Sequence, residues 1–222
     1  MKNQTDANGI ADDGKAVGRR FHLLQTLTAL SVASLVASNI ITNKQTDILG
    51  FAITCGSFTI PIDYIVSDVL AEVYGYREAR RATIIAFLCD LLCVAFFTLT
   101  LAAPQFATFT AQDAFQTVLG STPRILVASF TAYVVGSLSN AKVMELMHVR
   151  DGEGRLALRC IASTVVGETL DMTVFSLMAF AGVLPWDVIF QMIVVASVVK
   201  VAVECVCYPL VTRRVIGWAK GL

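Results

Sequence analysis

The 222-residue chain has two histidines, His22 and His148, and only 15% of its residues are charged. Histidine is the commonest general base and metal ligand near neutral pH, and both copies fall at the edges of apolar runs, where an interfacial role is the ordinary one. No Ser-His-Asp arrangement, metal-ligand spacing or Gly-rich phosphate loop occurs, so a catalytic centre, a metal and a cofactor are all unexpected. Any ATP hydrolysis would come from separate subunits. The 17 basic residues equal the 17 acidic ones, which removes the bulk positive footprint of a nucleic-acid binder. The six cysteines, Cys55, Cys89, Cys93, Cys160, Cys205 and Cys207, lie in or beside apolar runs and not in external loops, so disulfides are not expected. Cys89 with Cys93 and Cys205 with Cys207 are close pairs, yet no nearby histidine completes a zinc site, and they read as small packing residues.

What the chain has in excess is apolar length. Hydrophobic residues make up 56% of it, well above a soluble domain. About 20 apolar residues cross the hydrocarbon core, and six segments qualify: residues 21–42, 48–73, 82–103, 118–141, 158–184 and 187–211. The expected fold is therefore an all-α integral membrane protein with six transmembrane helices. Gly50, Gly56 and Pro61 interrupt the second segment, which reads as a broken or re-entrant span. The Arg19-Arg20 start of the first resembles a signal peptide, but the run is too long and lacks a convincing small-residue cleavage site, so it is expected as a retained helix.

Basic residues alternate between loops. They fall at Lys15, Arg19 and Arg20, at Arg77, Arg80 and Arg81, at Lys142, Arg150, Arg155 and Arg159, and at Arg213, Arg214 and Lys220. The intervening loops hold only Lys44. This asymmetry predicts that both termini are cytoplasmic, and merging or splitting one span would put an Arg-rich loop outside. Residues 1–18, polar and without apolar periodicity, are expected as a disordered cytoplasmic leader. Residues 19–215 are expected as one membrane domain and 216–222 as a cytoplasmic tail. The outer loop near 104–117 is either a plain connector or an amphipathic cap on a cavity.

Ionisable side chains inside the spans carry the functional signal. Each costs about 2.5 to 3.5 kcal/mol or more at a helix centre unless it faces a cavity or a partner. The chain places Asp63, Asp68 and Glu72 in the second span, Asp90 in the third, Arg124 in the fourth, Glu168 and Asp171 in the fifth, and Lys200 and Glu204 in the sixth. Asp68 and Glu72, Glu168 and Asp171, and Lys200 and Glu204 are each three or four apart, so each pair shares a helix face. Lys200 with Glu204 is either an internal ion pair or part of a site wall. Glu168 and Asp171 have no base within helical reach, so Arg124, Lys200 or a ligand would neutralise them.

The run Asp68-Val-Leu-Ala-Glu72-Val-Tyr74-Gly75-Tyr76-Arg77-Glu-Ala-Arg80-Arg81 resembles the signature of the bacterial queuosine-precursor transporter family, also grouped with vitamin-uptake-transporter-like proteins. Gly120-Ser-Thr-Pro-Arg124, Ala128-Ser129 with Ala132-Tyr133, Ser163-Thr164 with Gly167-Glu168 and Asp171, and Lys200 with Glu204 and Pro209 follow in the family's order. Asp63, Ser67, Ala71 and Met172 depart from its pattern. The resemblance implies a six-helix inner-membrane importer, similar to the substrate-binding subunits of energy-coupling-factor transporters. Its cargo would be a 7-deazaguanine base, preQ0 or preQ1. Glu168, Asp171, Asp68 and Asn39 are then the substrate-binding candidates. Glu72, Arg77, Arg80, Arg81, Arg124, Lys200 and Glu204 would form a gate or charge network. The partners implied are the base and the lipid bilayer, with a homo-oligomer or shared energising subunits left open. Another purine-like base or vitamin is the alternative cargo, and an intramembrane enzyme or assembly factor the alternative class.

Overall fold

A computed structural model describes residues 2–48, 50–151 and 156–220, with side chains for all of these except 2–17, 144, 148–151, 156–160, 208, 209 and 220. The side chains of Lys15, His148, Arg150, Arg155, Arg159, Cys160, Pro209 and Lys220, named above, lie outside the described residues. Helices dominate: α1 (Lys2–Ile41), α2 (Ile60–Val69), α3 (Tyr76–Ala102), α4 (Gln112–Leu119), α5 (Thr122–Asp151), α6 (Leu156–Phe180), α7 (Trp186–Cys207) and α8 (Arg213–Lys220). Five stretches are long and apolar enough to cross a bilayer, namely Gly18–Ile41, Tyr76–Ala102, Gln112–Met147, Ile161–Phe180 and Trp186–Ala219. The molecule is an all-α multi-pass membrane protein.

α1 is helical from Lys2, where a leader without order was expected. Its 40 residues would run about 60 Å at 1.5 Å per residue, twice the hydrocarbon core, and only the part from Gly18 is apolar enough to lie in it. At the other end of the chain, residues 213–220 are helical, and Ile216 and Ala219 of α8 pack into the core beside Leu27, Val66, Val69 and Leu70.

The second apolar segment is broken, as its glycines and proline suggested, but its first part is a β-hairpin. Strands β1 (Gln45–Ile48) and β2 (Phe51–Thr54) pair antiparallel, Ile48 opposite Phe51. Gly50 turns the chain with φ +85°, and its N–H donates to Asp47 Oδ1 at 2.9 Å. Gln191 of α7 holds the hairpin: Ala52 N–H donates to its Oε1, and its Nε2 donates to the Gly50 carbonyl, both at 3.3 Å. A 3₁₀ turn (Cys55–Thr59), α2 with Pro61 in its first turn, and a π-helical turn (Leu70–Tyr74) complete the crossing. The 3₁₀ turn and α2 together rise about 25 Å, close to the core thickness.

Lipid replaces water around the bundle, and the burial pattern is accordingly inverted. In α3, Ala82, Ala86, Asp90 and Val94 form a buried stripe at four-residue spacing, while Leu88, Leu92, Phe96 and Leu99 face outward. Leu99 is 67% exposed and Asp90 1%. Such a face is at home only in hydrocarbon. Two apolar clusters sit at opposite ends. One joins α1, α2, α3 and α8. The other joins α5, α6 and α7 through Ile125, Ala128, Phe180, Ile189 and Met192.

α5 and α6 make the closest helix pair, because glycine lets their backbones touch. A Cβ on Gly136 would lie 2.8 Å from Asp171 Cβ, and one on Gly167 would lie 2.9 Å from Asn140 Cβ. Each glycine sits four residues before a polar partner residue of the other contact, Gly136 before Asn140 and Gly167 before Asp171. The crossing thus seats Asp171 against Gly136 and Asn140, one turn along, against Gly167.

Candidate functional site

Between the clusters lies a cavity of about 420 Å³, walled by α2, α5, α6 and α7. Among the described residues its wall carries five carboxylates, Asp63, Asp68, Glu168, Asp171 and Glu204, and one base, Lys200. Tyr64, Tyr133, Ser137, Asn140 and Thr164 add uncharged polar groups. The volume suits a small heterocycle at the lower end of ligand pockets. A second cavity of about 250 Å³ adjoins it toward the hairpin and shares Ile60, Asp63, Tyr133, Asp171 and Lys200 as a common wall. Apart from those shared ions it is lined by neutral groups, including Asn39, Thr42, Ser57 and Ser129, with the rings of Phe87 and Phe175.

Lys200 reaches across from α7 to α6. Its ammonium is 3.1 Å from Glu168 Oε2 and in direct contact with Asp171 Oδ2. The two acids sit three residues apart on one face, so a single long side chain neutralises one charge of the two and leaves the trio with one negative charge in excess. The internal Lys200–Glu204 pair that four-residue spacing suggested is absent. Glu204 instead accepts a long hydrogen bond from Thr164 Oγ1 at 3.5 Å, and its Oε2 is buried with no hydrogen-bond partner among the described residues. The Tyr64 hydroxyl is buried beside Glu168, with Glu204 and Asp171 within electrostatic range. Asp63 accepts from Thr59 Oγ1 at 2.9 Å.

The other candidates lie elsewhere. Asn39 is buried at the wall of the smaller cavity with both ends of its amide engaged: Nδ2 donates to Asp90, and Oδ1 accepts from Ser129 Oγ at 2.8 Å. That network ties α1, α3 and α5 together. Arg124 is at the hairpin end, donating from Nε to the Met178 carbonyl and from Nη2 to the Ala181 carbonyl, both at 2.6 Å. It caps the C-terminus of α6, where carbonyls lack helical partners and the dipole favours a cation. Glu72 and the three arginines at the start of α3 do not line the cavity. Arg81 forms an exposed ion pair with Glu78 at 3.0 Å.

Residues that charge counting missed are the uncharged polar ones, Tyr64, Tyr133, Ser137 and Asn140. Their signal was spacing: Tyr133, Gly136, Ser137 and Asn140 recur at three and four residues along α5, one continuous face.

A family model described as "putative vitamin uptake transporter" matches residues 54–213, which include every wall residue of the larger cavity. The chain belongs to this family. It is 26% identical over 175 residues to a Bacillus subtilis (strain 168) protein named "probable queuosine precursor transporter", covering 78% of this chain and 76% of the relative. It is also 26% identical over 162 residues to the "queuosine precursor transporter" of Escherichia coli (strain K12), covering 73% of this chain and 71% of the relative. No solved structure matches the chain, so the likeness to energy-coupling-factor substrate-binding subunits stays an expectation from sequence.

Proposed function

We propose that this family member imports queuosine precursors, preQ0 and preQ1, across the bacterial inner membrane, and that it is a carrier and not an enzyme. The observation that carries the reading is the carboxylate-lined cavity inside the matched region. A guanine-like base presents a ring N–H and an exocyclic amine side by side, and one carboxylate accepts both as a bidentate pair. In a site shielded from water such a pair is worth more than at the surface. Glu168 and Asp171 suit the role because Lys200 fixes their orientation without using all their acceptor capacity. Asp68 supplies a further acceptor, and Asn39 belongs to the adjoining chamber. The named relatives support the same cargo.

The basic residues support cytoplasmic termini. Arg20, Arg77, Arg80, Arg81, Arg213 and Arg214 flank one end of the bundle, while Lys44 and Arg124 are at the other. In this reading the partners are the base and the bilayer, not nucleic acid, with a second copy of the chain or shared energising subunits as further ones. The family description favours a vitamin as a second cargo.

The test uses cells that cannot make queuosine and are supplied with preQ0 or preQ1. Expressing this chain should restore queuosine in their tRNA, and Glu168→Gln at equal membrane abundance should not. Failure of the natural chain to restore it would overturn the reading.

A further inference from the structure

The two adjoining chambers differ in charge. The smaller one has neutral groups apart from the wall it shares, whereas the larger adds Asp68, Glu168 and Glu204 to that wall. Lys200 answers Glu168 and Asp171, and Asp63 accepts from Thr59. The other two carboxylates of the larger chamber, Asp68 and Glu204, make no ion pair among the described residues. Glu204 has a buried oxygen without a hydrogen-bond partner among the described residues, and it lies within electrostatic range of Asp68 and Glu168. Asp68 on α2 and Glu204 on α7 line the same chamber. Two acids lining one cavity from different helices, with no ion pair to a base among the described residues, are costly in a membrane interior. Their arrangement is complementary to a cation brought by the cargo. A neutral ligand would leave the same groups unanswered.

We propose that Glu204 and Asp68 are the specificity-determining pair for a protonated alkylamine on the cargo, so that the carrier prefers a cationic base to a neutral one of the same ring system. This rests on the reading of the cargo as a deazaguanine. The bicyclic part is held by hydrogen-bonding groups at the Lys200 trio, and the amine extends toward Glu204 and Asp68. An alkylammonium carries three donors and titrates like lysine, far above neutral pH. It makes charge-assisted hydrogen bonds to both acids at once, which a nitrile, having no donor, cannot do. Neither interaction requires a chemical step, only binding.

The experiment measures competition for uptake between the 7-aminomethyl and 7-cyano forms, which share the deazaguanine ring and differ in this one substituent. In the natural chain the aminomethyl form should compete about tenfold better, equivalent to about 1.4 kcal/mol. In Glu204→Gln that ratio should fall toward one, and in Glu204→Asp, which keeps the charge, most of it should return. Asp68→Asn provides an independent arm and should also lower the ratio, so the outcome does not depend on one variant reaching the membrane. Equal competition by the two forms in the natural chain, or a ratio unmoved by Glu204→Gln and Asp68→Asn, overturns the pair's role while leaving import of deazaguanines standing. If neither form competes, the cargo reading fails and this inference fails with it.

Discussion

Replacing Lys200 by methionine isolates the ionic centre of the larger cavity. The ammonium is 3.1 Å from Glu168 Oε2 and also contacts Asp171, and the three side chains are only 19%, 23% and 20% exposed. At an effective dielectric constant of about 20, two unit charges at that distance attract by about 5 kcal/mol. Desolvation of each ion offsets several kcal/mol of this, so the assembled trio adds little net stability. Removing the lysine alone is different, because two carboxylates remain without their countercharge, and breaking a buried pair costs about 3 to 5 kcal/mol. Lys200→Met should therefore lose about 3 kcal/mol or more in denaturant unfolding of the purified protein in mixed micelles. Adding Asp171→Asn should recover part of that loss, with a coupling of about 1 to 3 kcal/mol in the double-mutant cycle. A Lys200→Met protein with unchanged stability, or a coupling below about 0.5 kcal/mol, would refute the assignment of Lys200 as the countercharge.

Gly167→Val should force α5 from α6, since even a Cβ there meets Asn140 Cβ at 2.9 Å; a loss of about 1 to 3 kcal/mol in the same unfolding assay is expected. Asn39→Leu removes the donor to Asp90 and leaves a 1%-exposed carboxylate without it, so it should destabilise by more than about 2 kcal/mol, and adding Asp90→Leu should restore much of the loss. Arg124→Gln removes the cap on α6 and should cost about 1 to 3 kcal/mol in stability, while the ratio of aminomethyl to cyano competition stays at its natural value, because Arg124 contacts carbonyls at the far end of the helix.

The spans were legible because apolar length and alternating basic loops are properties of the chain itself, and five of the six segments are long helices. The hairpin was not. Ile48 to Thr54 is a short apolar run, which periodicity alone cannot divide between strand and buried helix. Gly50 and Pro61 announced a break without saying what filled it. In the site, spacing revealed that Glu168 and Asp171 share a face but not who answers them. Lys200 is four residues from Glu204 in sequence, and only the packing of α7 on α6 turns it to the other two acids. Arg124 met carbonyls instead of carboxylates because the antiparallel neighbour ends beside the start of α5, a fact about tertiary position that no local pattern encodes.

The broken second crossing also constrains how the molecule can be made. Ten residues of α2, carrying Asp63 and Asp68, are too short and too polar to settle in a bilayer unaided. α1 covers part of them, α7 and α8 add the rest, and the hairpin leading into them is held by Gln191. α7, with its Gln191, and α8 emerge from the ribosome last. The second segment is therefore fully covered only once the C-terminal helices have joined α1 around it. A chain truncated before Trp186 would lack part of the cover of its own second segment.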